Sequence, residues 1–192
     1  SGGNVSLINS DFLSAARLYT STFPAGRSNG LSSVLDLRMA EGNPDRFLLK
    51  ASVGASDAAL TIDSPVGSKG NIIASVRQSY LQVLFSLLQL PFLPTYNDAQ
   101  IKYSHHFDDH NHLYVIALGS LDRSRLNFSM KDLTPDRQQI LDYLPENDQW
   151  SYVVGAVYAR YTPNDVLNLV ASTDRLNNSL QKWQDNDPAR GK

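Results

Sequence analysis

Residues 71–90 read NIIASVRQSYLQVLFSLLQL, and the predicted fold depends on how this stretch is interpreted. No charged residue occurs between Arg77 and Asp98, and leucine, valine and phenylalanine are dense there. Polar side chains such as Gln78 and Gln82 recur four residues apart, which is a spacing typical of one face of a helix. The sequence therefore predicts an amphipathic helix over residues 71–90 that is buried in the core.

The same stretch is also compared with what a membrane-spanning helix requires. Such a helix needs about 20 consecutive, mostly apolar residues. Here the glutamines and serines interrupt the apolar run, and Pro91 and Pro94 follow it closely. We therefore expect no membrane span and a soluble chain.

Helices are also expected at both ends of the chain. At the N-terminus, Ile8, Phe12, Tyr19 and Phe23 follow a spacing of three and four that indicates a helical stripe. Near the C-terminus, Thr162 and Pro163 form a typical helix start, which predicts a helix over residues 162–184. Thr134 and Pro135 predict a shorter helix by the same device.

Alternating apolar and polar residues predict strands between these helices, as in Leu35–Met39 and around Leu49 and Ala51. The runs 113–118 and 150–161 are apolar on both faces, which is typical of central strands. We therefore predict an α+β fold with a mostly antiparallel sheet of about six to seven strands. The N-terminal, central and C-terminal helices would pack on that sheet.

The domain prediction follows from the same elements. Residues 1–192 would form a single α+β domain, with the helix at 162–184 either packed on the sheet or projecting from it, and residues 185–192 would be a frayed tail. The order of helices and strands resembles that of secretion-chaperone domains. This resemblance implies a fold only and assigns no site.

Composition excludes several classes of protein. The 192-residue chain has no cysteine, which excludes disulfide scaffolds, thiolate zinc sites and iron–sulfur clusters. Its net charge is −2 and no basic block occurs, so we expect no nucleic-acid partner. We expect no signal peptide, since no basic stretch followed by an apolar one opens the sequence. The absence of cysteine permits an exported location, which is slightly favoured while the compartment stays unknown.

A histidine cluster is the main candidate for chemistry. All four histidines lie between residues 105 and 112, with two aspartates among them. The expected hairpin pairs residue 107 with 112 and residue 105 with 114, which places His105 and His112 on one face as diagonal neighbours. His110 or Asp109 at the tip would complete a zinc site. Apart from this zinc site, we expect no cofactor.

The C-terminal segment supplies a candidate binding surface. Val166, Leu169, Leu176, Leu180 and Trp183 are spaced three, seven, four and three residues apart, which resembles a coiled-coil seam. One interpretation is a helix that docks on a protein partner or on a second copy of the chain. The other is a helix that packs on its own sheet.

No set of acid, base and nucleophile converges in the sequence, so no catalytic residue is assigned and we lean against an enzyme. The first hypothesis is a non-enzymatic protein-binding, assembly or adaptor subunit of a larger complex or homo-oligomer, with a secretion or envelope role as one form. The alternatives are a metal-dependent enzyme that uses the His105–His112 hairpin, and a viral structural subunit.

Overall fold

The computed structural model describes residues 12–20, 33–130 and 134–183, and most of these residues form antiparallel sheet. A two-stranded sheet contains β1 (Leu13–Tyr19) and β2 (Val34–Met39). The main sheet has seven strands, which are β3 (Leu48–Val53), β4 (Asp57–Val66), β5 (Gly70–Ser79), β6 (Phe92–His106), β7 (Asn111–Leu126), β8 (Glu146–Tyr161) and β9 (Val166–Gln181). The two described helices are α1 (Leu81–Leu87) and α2 (Pro135–Tyr143).

The main sheet is a simple meander in which each strand pairs antiparallel with the next one along the chain. Among the described residues, β3 and β9 are the two edges of this sheet. Strands β6 to β9 have 15 or 16 residues, whereas strands of globular proteins usually have about 3–10. Four of the seven strands of this sheet are therefore unusually long.

The predicted α+β fold with helices packed on a sheet is wrong. Residues 71–79 of the supposed central helix lie in β5, and only the seven residues Leu81–Leu87 are helical. The reason lies in the spacing of four, because residues i and i+4 share a face in a helix and in a strand alike. Asn71, Ser75 and Ser79 have this spacing, and in β5 all three are buried on one side of the sheet.

The N-terminal and C-terminal helices are wrong for a related reason. Of the first stripe, Tyr19 lies in β1 and Phe12 directly precedes that strand, while Ile8 and Phe23 lie outside the described residues. The predicted helix 162–184 is largely β9, and the tail 185–192 lies outside the described part of the chain. Alternation along Leu167, Leu169 and Ala171 favours the strand.

Several other predictions of local structure are confirmed. The alternating runs at 35–39 and 47–53 lie in β2 and β3, and the apolar runs are central strands β7 and β8. Pro135 begins α2, as predicted, with Thr134 at its N-cap. The alternation of Leu126, Phe128 and Met130 also predicts a strand, and this prediction is wrong, because β7 ends at Leu126 and Met130 packs with Leu126 in a small buried cluster.

The segment after β2 is bonded to one face of the main sheet. Lys102 Nζ donates a hydrogen bond to the carbonyl oxygen of Ala40 at 2.8 Å. Asn43 N donates one to Asp63 Oδ1 at 2.6 Å. Between them Gly42 is buried, and a Cβ there would come within 2.8 Å of Asn71 Oδ1, so only glycine fits without a shift. Residues 40–43 therefore cover part of this face of the main sheet.

Candidate functional site

The two faces of the main sheet differ sharply in chemistry. One cross-strand row of directly paired residues is Leu60, Val76, Ala99, Gly119 and Tyr152. Directly paired residues point to the same side, and residues two apart on a strand share a face. We call the side that carries this row the apolar face, and the opposite side the polar face.

The polar face is the buried one across β4, β5 and β6. Ser104 is fully buried there, and Gln100 is 3% exposed. On the apolar face, by contrast, Val76 is 57% exposed and Leu121 is 50% exposed. Further large apolar side chains are exposed on this face, including Val53, Leu60, Val154, Leu167 and Leu169. The usual arrangement of a sheet in water, with apolar residues inside, is therefore inverted in this chain.

Charged residues on the apolar face of β4 to β8 lie only at the two ends of the strands. Arg123, Arg125 and Asp148 are grouped at one end, with Arg125 Nη2 at 2.7 Å from Asp148 Oδ2. Arg160 lies at the other end. Between them, from Leu121 to Leu113 along β7 and in the paired rows of β4, β5, β6 and β8, this face has no Asp, Glu, Lys or Arg.

Aromatic side chains stand at both margins of this uncharged band. Trp150 and Tyr152 stack at one margin with ring centroids 6.2 Å apart. Tyr103 and Tyr158 occupy rows near the other margin. On β9, Arg175 pairs with Tyr152 on the same face, and its guanidinium lies 5.6 Å from the centroid of the Trp150 ring.

A shallow cavity of about 780 Å³ crosses the apolar face from β3 to β8. Its floor contains the small residues Ala99 and Gly119, and larger apolar residues such as Leu60, Leu121 and Trp150 border it. Its size falls within the range of about 300–1,000 Å³ found for small-molecule sites.

The polar face carries a network of ionisable groups. Arg77 Nη2 lies 2.7 Å from Asp98 Oδ2, and both side chains are largely buried. Burial raises the pKa of Asp98, although the hydrogen bond and charge of Arg77 oppose this shift. Burial also raises the pKa of Asp122, and the negative charge of Asp98 adds to it. Tyr96 hydrogen-bonds to Asp57, and burial raises the pKa of its hydroxyl.

Lys102 extends this network toward β2. Burial lowers the pKa of its ammonium group, and the nearby Glu41 carboxylate partly offsets the shift. The ammonium also lies 5.7 Å from the centroid of the Tyr114 ring. The network holds the strands and the segment after β2 together, and it contains no pairing of base and nucleophile that we recognise as catalytic.

The histidine hairpin forms with a register that differs from the predicted one. The structure pairs His106 with His112 and His105 with Leu113, so the expected pairing of residue 107 with 112 is wrong. His105 therefore lies on the apolar face, beside Tyr103, and His112 lies on the polar face. Phe107 N donates a hydrogen bond to the carbonyl oxygen of Asn111, so the turn closes one residue earlier on β7 than predicted, and Asp108 accepts hydrogen bonds from the backbone N–H groups of His110 and Asn111.

The predicted zinc ligands are thus separated, and a different pair is brought together. The rings of His106 and His112 have centroids 4.3 Å apart. His110 and Asp109 lie in the exposed hairpin turn. Among the described residues, no group of three or more His, Asp or Glu side chains is placed to hold a metal. Zinc binding by this chain stays a prediction.

The predicted C-terminal seam does not form a single surface. Leu169 lies on the apolar face of β9, whereas Val166, Leu176 and Leu180 lie on the opposite face. Trp183 follows the end of the strand. The side chains from Val166 to Leu180 are all exposed, so the segment is available for contacts. A binding role for these residues stays a prediction.

Comparisons with known proteins add no assignment. No protein-family model matches the chain, and no curated protein or solved structure matches it. Within the described ranges, neither helix has the length and apolar character needed to cross a membrane.

Sequence reasoning missed the apolar face as a candidate site. The signal was present in β5, where Ile72, Ala74 and Val76 alternate with polar residues. It was also present in β4, where Leu60 and Ile62 alternate with Thr61 and Asp63. Alternation shows that a strand has two different faces, but it does not show which face is covered.

Proposed function

We propose that this chain is a non-enzymatic structural subunit that lies in a lipid bilayer as part of a larger assembly. Its apolar face would contact the acyl chains, and its polar face would line a polar interior of the assembly. The observation that carries the proposal is the inversion of the sheet, with Gln100 and Lys102 buried while Val76 and Leu121 are exposed.

The area of the apolar face, at the upper end of what monomers expose, favours a cover. From Leu113 to Leu121 the uncharged band is about 27 Å tall, and five strands give a width of about 24 Å, so the area is on the order of 600 Å². A typical monomer has a largest apolar patch of about 300–600 Å². At about 25 cal/mol per Å², removing such an area from water favours the covered state by on the order of 15 kcal/mol. This is comparable to the whole stability of a domain.

The pattern of the band favours lipid over a protein partner as the cover. A bilayer has a hydrocarbon core about 30 Å thick, which strands of about 9–11 residues cross at a tilt. The uncharged band has this height, aromatic residues at both margins and charges beyond them, as expected at membrane interfaces. A protein interface of this size would be expected to carry about one hydrogen bond per 100–200 Å². The middle row of the band has no hydrogen-bonding side chain and contains Ile62, Ala74, Ile101, Ala117 and Val154, whereas polar side chains such as Gln78 and Tyr103 lie in rows nearer the margins.

The open edges add a requirement to this proposal. Among the described residues, no strand pairs with the outer side of β3 or β9. In hydrocarbon, unpaired backbone N–H and C=O groups are costly because no water is present to satisfy them. The assembled form would therefore include a partner strand at each edge, supplied by a protein partner or by a second copy of the chain.

Single cysteines on β7 test which face meets lipid. The chain has no native cysteine, so each introduced thiol is unique. Each variant is labelled with a polarity-sensitive fluorophore and reconstituted in phosphatidylcholine vesicles. Quenching by a lipid-phase nitroxide is then compared with quenching by aqueous iodide. The apolar-face positions are Val115, Ala117 and Leu121, and the matched polar-face positions are Ile116, Leu118 and Ser120.

We expect nitroxide to quench the three apolar-face labels several-fold more than their neighbours, so that accessibility alternates along the strand. Strong iodide quenching at all six positions would show that the sheet stays in water and would overturn the proposal. Apolar-face labels that neither quencher reaches would indicate a protein partner instead, and would also overturn it.

A further inference from the structure

The hairpin between β6 and β7 brings two histidines together on the polar face. His106 and His112 are direct cross-strand partners, and their ring centroids are 4.3 Å apart. His106 N donates its hydrogen bond to the carbonyl oxygen of Lys69, on the side of β5, so the two histidines form a non-hydrogen-bonded pair of the β6–β7 ladder. Side chains of such pairs are the closest ones across an antiparallel ladder. The strands themselves, rather than the exposed turn, therefore hold the two rings side by side.

Each ring of this pair has a nitrogen that can bind a metal ion. His112 Nε2 lies 3.4 Å from the carbonyl oxygen of Asp109, which can only accept a hydrogen bond, so Nε2 carries the proton and Nδ1 the lone pair. A carbonyl that accepts from the second ring nitrogen is the usual support of a metal-bound histidine. The Tyr114 hydroxyl lies 3.3 Å from Nδ1, a long contact that a metal ion would replace. Within the described part of the chain, the His106 ring makes no hydrogen bond. Both rings are half-buried, so solvent and ions reach them.

The separation of the rings fits two ligands at a right angle on one metal ion. A divalent first-row ion lies about 2.0 Å from an imidazole nitrogen, which in turn lies about 1.2 Å from the centre of its ring. Two such rings have centroids about 4.5 Å apart when the metal bonds are perpendicular, and about 5.2 Å apart at the tetrahedral angle. The observed 4.3 Å is closer to the first value. Perpendicular bonds are typical of tetragonal Cu²⁺ sites, whereas zinc sites are mostly tetrahedral.

We infer that His106 and His112 together bind one Cu²⁺ ion, with water in its remaining positions. The pair supplies only two protein ligands, so the affinity depends on the strength of each bond, and Cu²⁺ binds nitrogen ligands most strongly among the divalent first-row ions. This site differs from the predicted zinc site, which required His105 on the same face as His112. It also goes beyond the proposed lipid contact, because it lies on the face opposite to the one that would meet acyl chains. A bound ion would tie β6 to β7 at the end of their hairpin.

Copper titration of the full chain tests this site. The chain is purified without a histidine tag, held in a non-ionic detergent and titrated with copper(II) sulfate. Pulsed electron paramagnetic resonance then counts the imidazoles on each copper ion. We expect one tight site with two imidazoles on the same ion. His106→Gln and His112→Gln should each weaken binding at least tenfold and leave at most one imidazole on the ion. His105→Gln and His110→Gln remove other histidines of the same hairpin and should change neither measurement. Circular dichroism checks that each variant keeps its sheet.

Three outcomes would overturn the copper site. One is copper that binds His106→Gln and His112→Gln as tightly as the parent, as expected for an adventitious ion only. Another is a parent spectrum with fewer than two imidazoles on each copper ion, a result that does not depend on the folding of any variant. The third is displacement of Cu²⁺ by an equal concentration of Zn²⁺, which would show that the pair prefers a tetrahedral ion. The β7 quenching pattern is unaffected by all three, so the copper site and the lipid contact fail separately.

Discussion

Asp122 shows how the inverted sheet acts on single ionisable groups. It shares the polar face with Asp98, Arg77 and Tyr96, and it pairs across the strands with Tyr96. Arg77 Nη2 already lies 2.7 Å from Asp98 Oδ2, so the positive charge of Arg77 only partly compensates the negative charge of the Asp122 carboxylate. Burial and the Asp98 carboxylate both raise the pKa of Asp122 above its ordinary value of 3.8. Its ionised form therefore destabilises the folded chain.

Asp122→Asn should stabilise the chain at pH 7. Above the raised folded-state pKa, the carboxylate is charged in both states and folding carries the cost of burying it. As the pH falls through that pKa toward 3.8, the folded state binds the proton first and the parent regains stability. We expect a gain for the variant of up to about 1 kcal/mol at pH 7 that shrinks to near zero below pH 3.8.

Urea unfolding in detergent between pH 3.5 and 7.5 measures this difference. Asp174→Asn, on the exposed strand β9, is the control and should change stability little at any pH. An Asp122→Asn variant that is less stable than the parent at pH 7 would contradict the assigned cause of the shift.

At the scale of single elements, two adjacent valines of β8 are similarly exposed but lie on opposite faces of the sheet. Comparing them shows whether the stability of a variant depends on the face that carries the substitution. Val153 lies on the polar face and Val154 on the apolar face, in the middle of the uncharged band. Their exposed fractions are 37% and 40%, so the two positions are nearly matched. In water, lysine substitutions at the two positions would differ mainly by the cross-strand pair of residue 153 with Asp174, which is worth about 0.2–1 kcal/mol.

Val154→Lys should therefore be much more harmful than Val153→Lys when the chain is in a bilayer. A lysine on the lipid side near the midplane costs about 2–4 kcal/mol. At residue 153 a lysine would face the polar side, opposite Asp174. The measurement is folding free energy of the two variants in phosphatidylcholine vesicles, with each variant compared to the parent. Equal losses of stability at the two positions would argue against lipid contact.

The elements also show where a spacing rule succeeds and where it fails. The Thr134–Pro135 start identified α2 because a proline at the first helical turn removes only an unsatisfied N–H. The same start at Thr162 and Pro163 precedes β9 instead, where Thr162 Oγ1 and Asp165 close a turn through hydrogen bonds. A local device that caps a helix also closes a turn, so it does not decide the element that follows.

At the scale of the whole molecule, the exposed apolar face should control association. Without a detergent or lipid, molecules can cover this face only by contacting one another. We expect sedimentation in buffer alone to show large, heterogeneous species, and sedimentation in a non-ionic detergent to show a defined species built from the 21.3-kDa chain. A combined Leu60→Ser, Val76→Ser and Leu121→Ser variant should associate less in buffer. A monodisperse monomer of the parent chain in buffer alone would contradict this expectation.

The sequence by itself determined the strands with a clear period of two, the central position of β7 and β8, the start of α2 and the absence of thiol chemistry. These features depend on neighbours within a few residues. Only the tertiary structure decided the register of the histidine hairpin, the conversion of three expected helices largely or wholly into strands, and the face of the sheet that is covered. A spacing of four satisfies a helix and a strand equally, so the choice falls to pairing with strands distant in sequence. Alternation divides residues between two faces, but only the contacts of Lys102, Asp63 and Gly42 with the rest of the chain show that the polar face is the one enclosed.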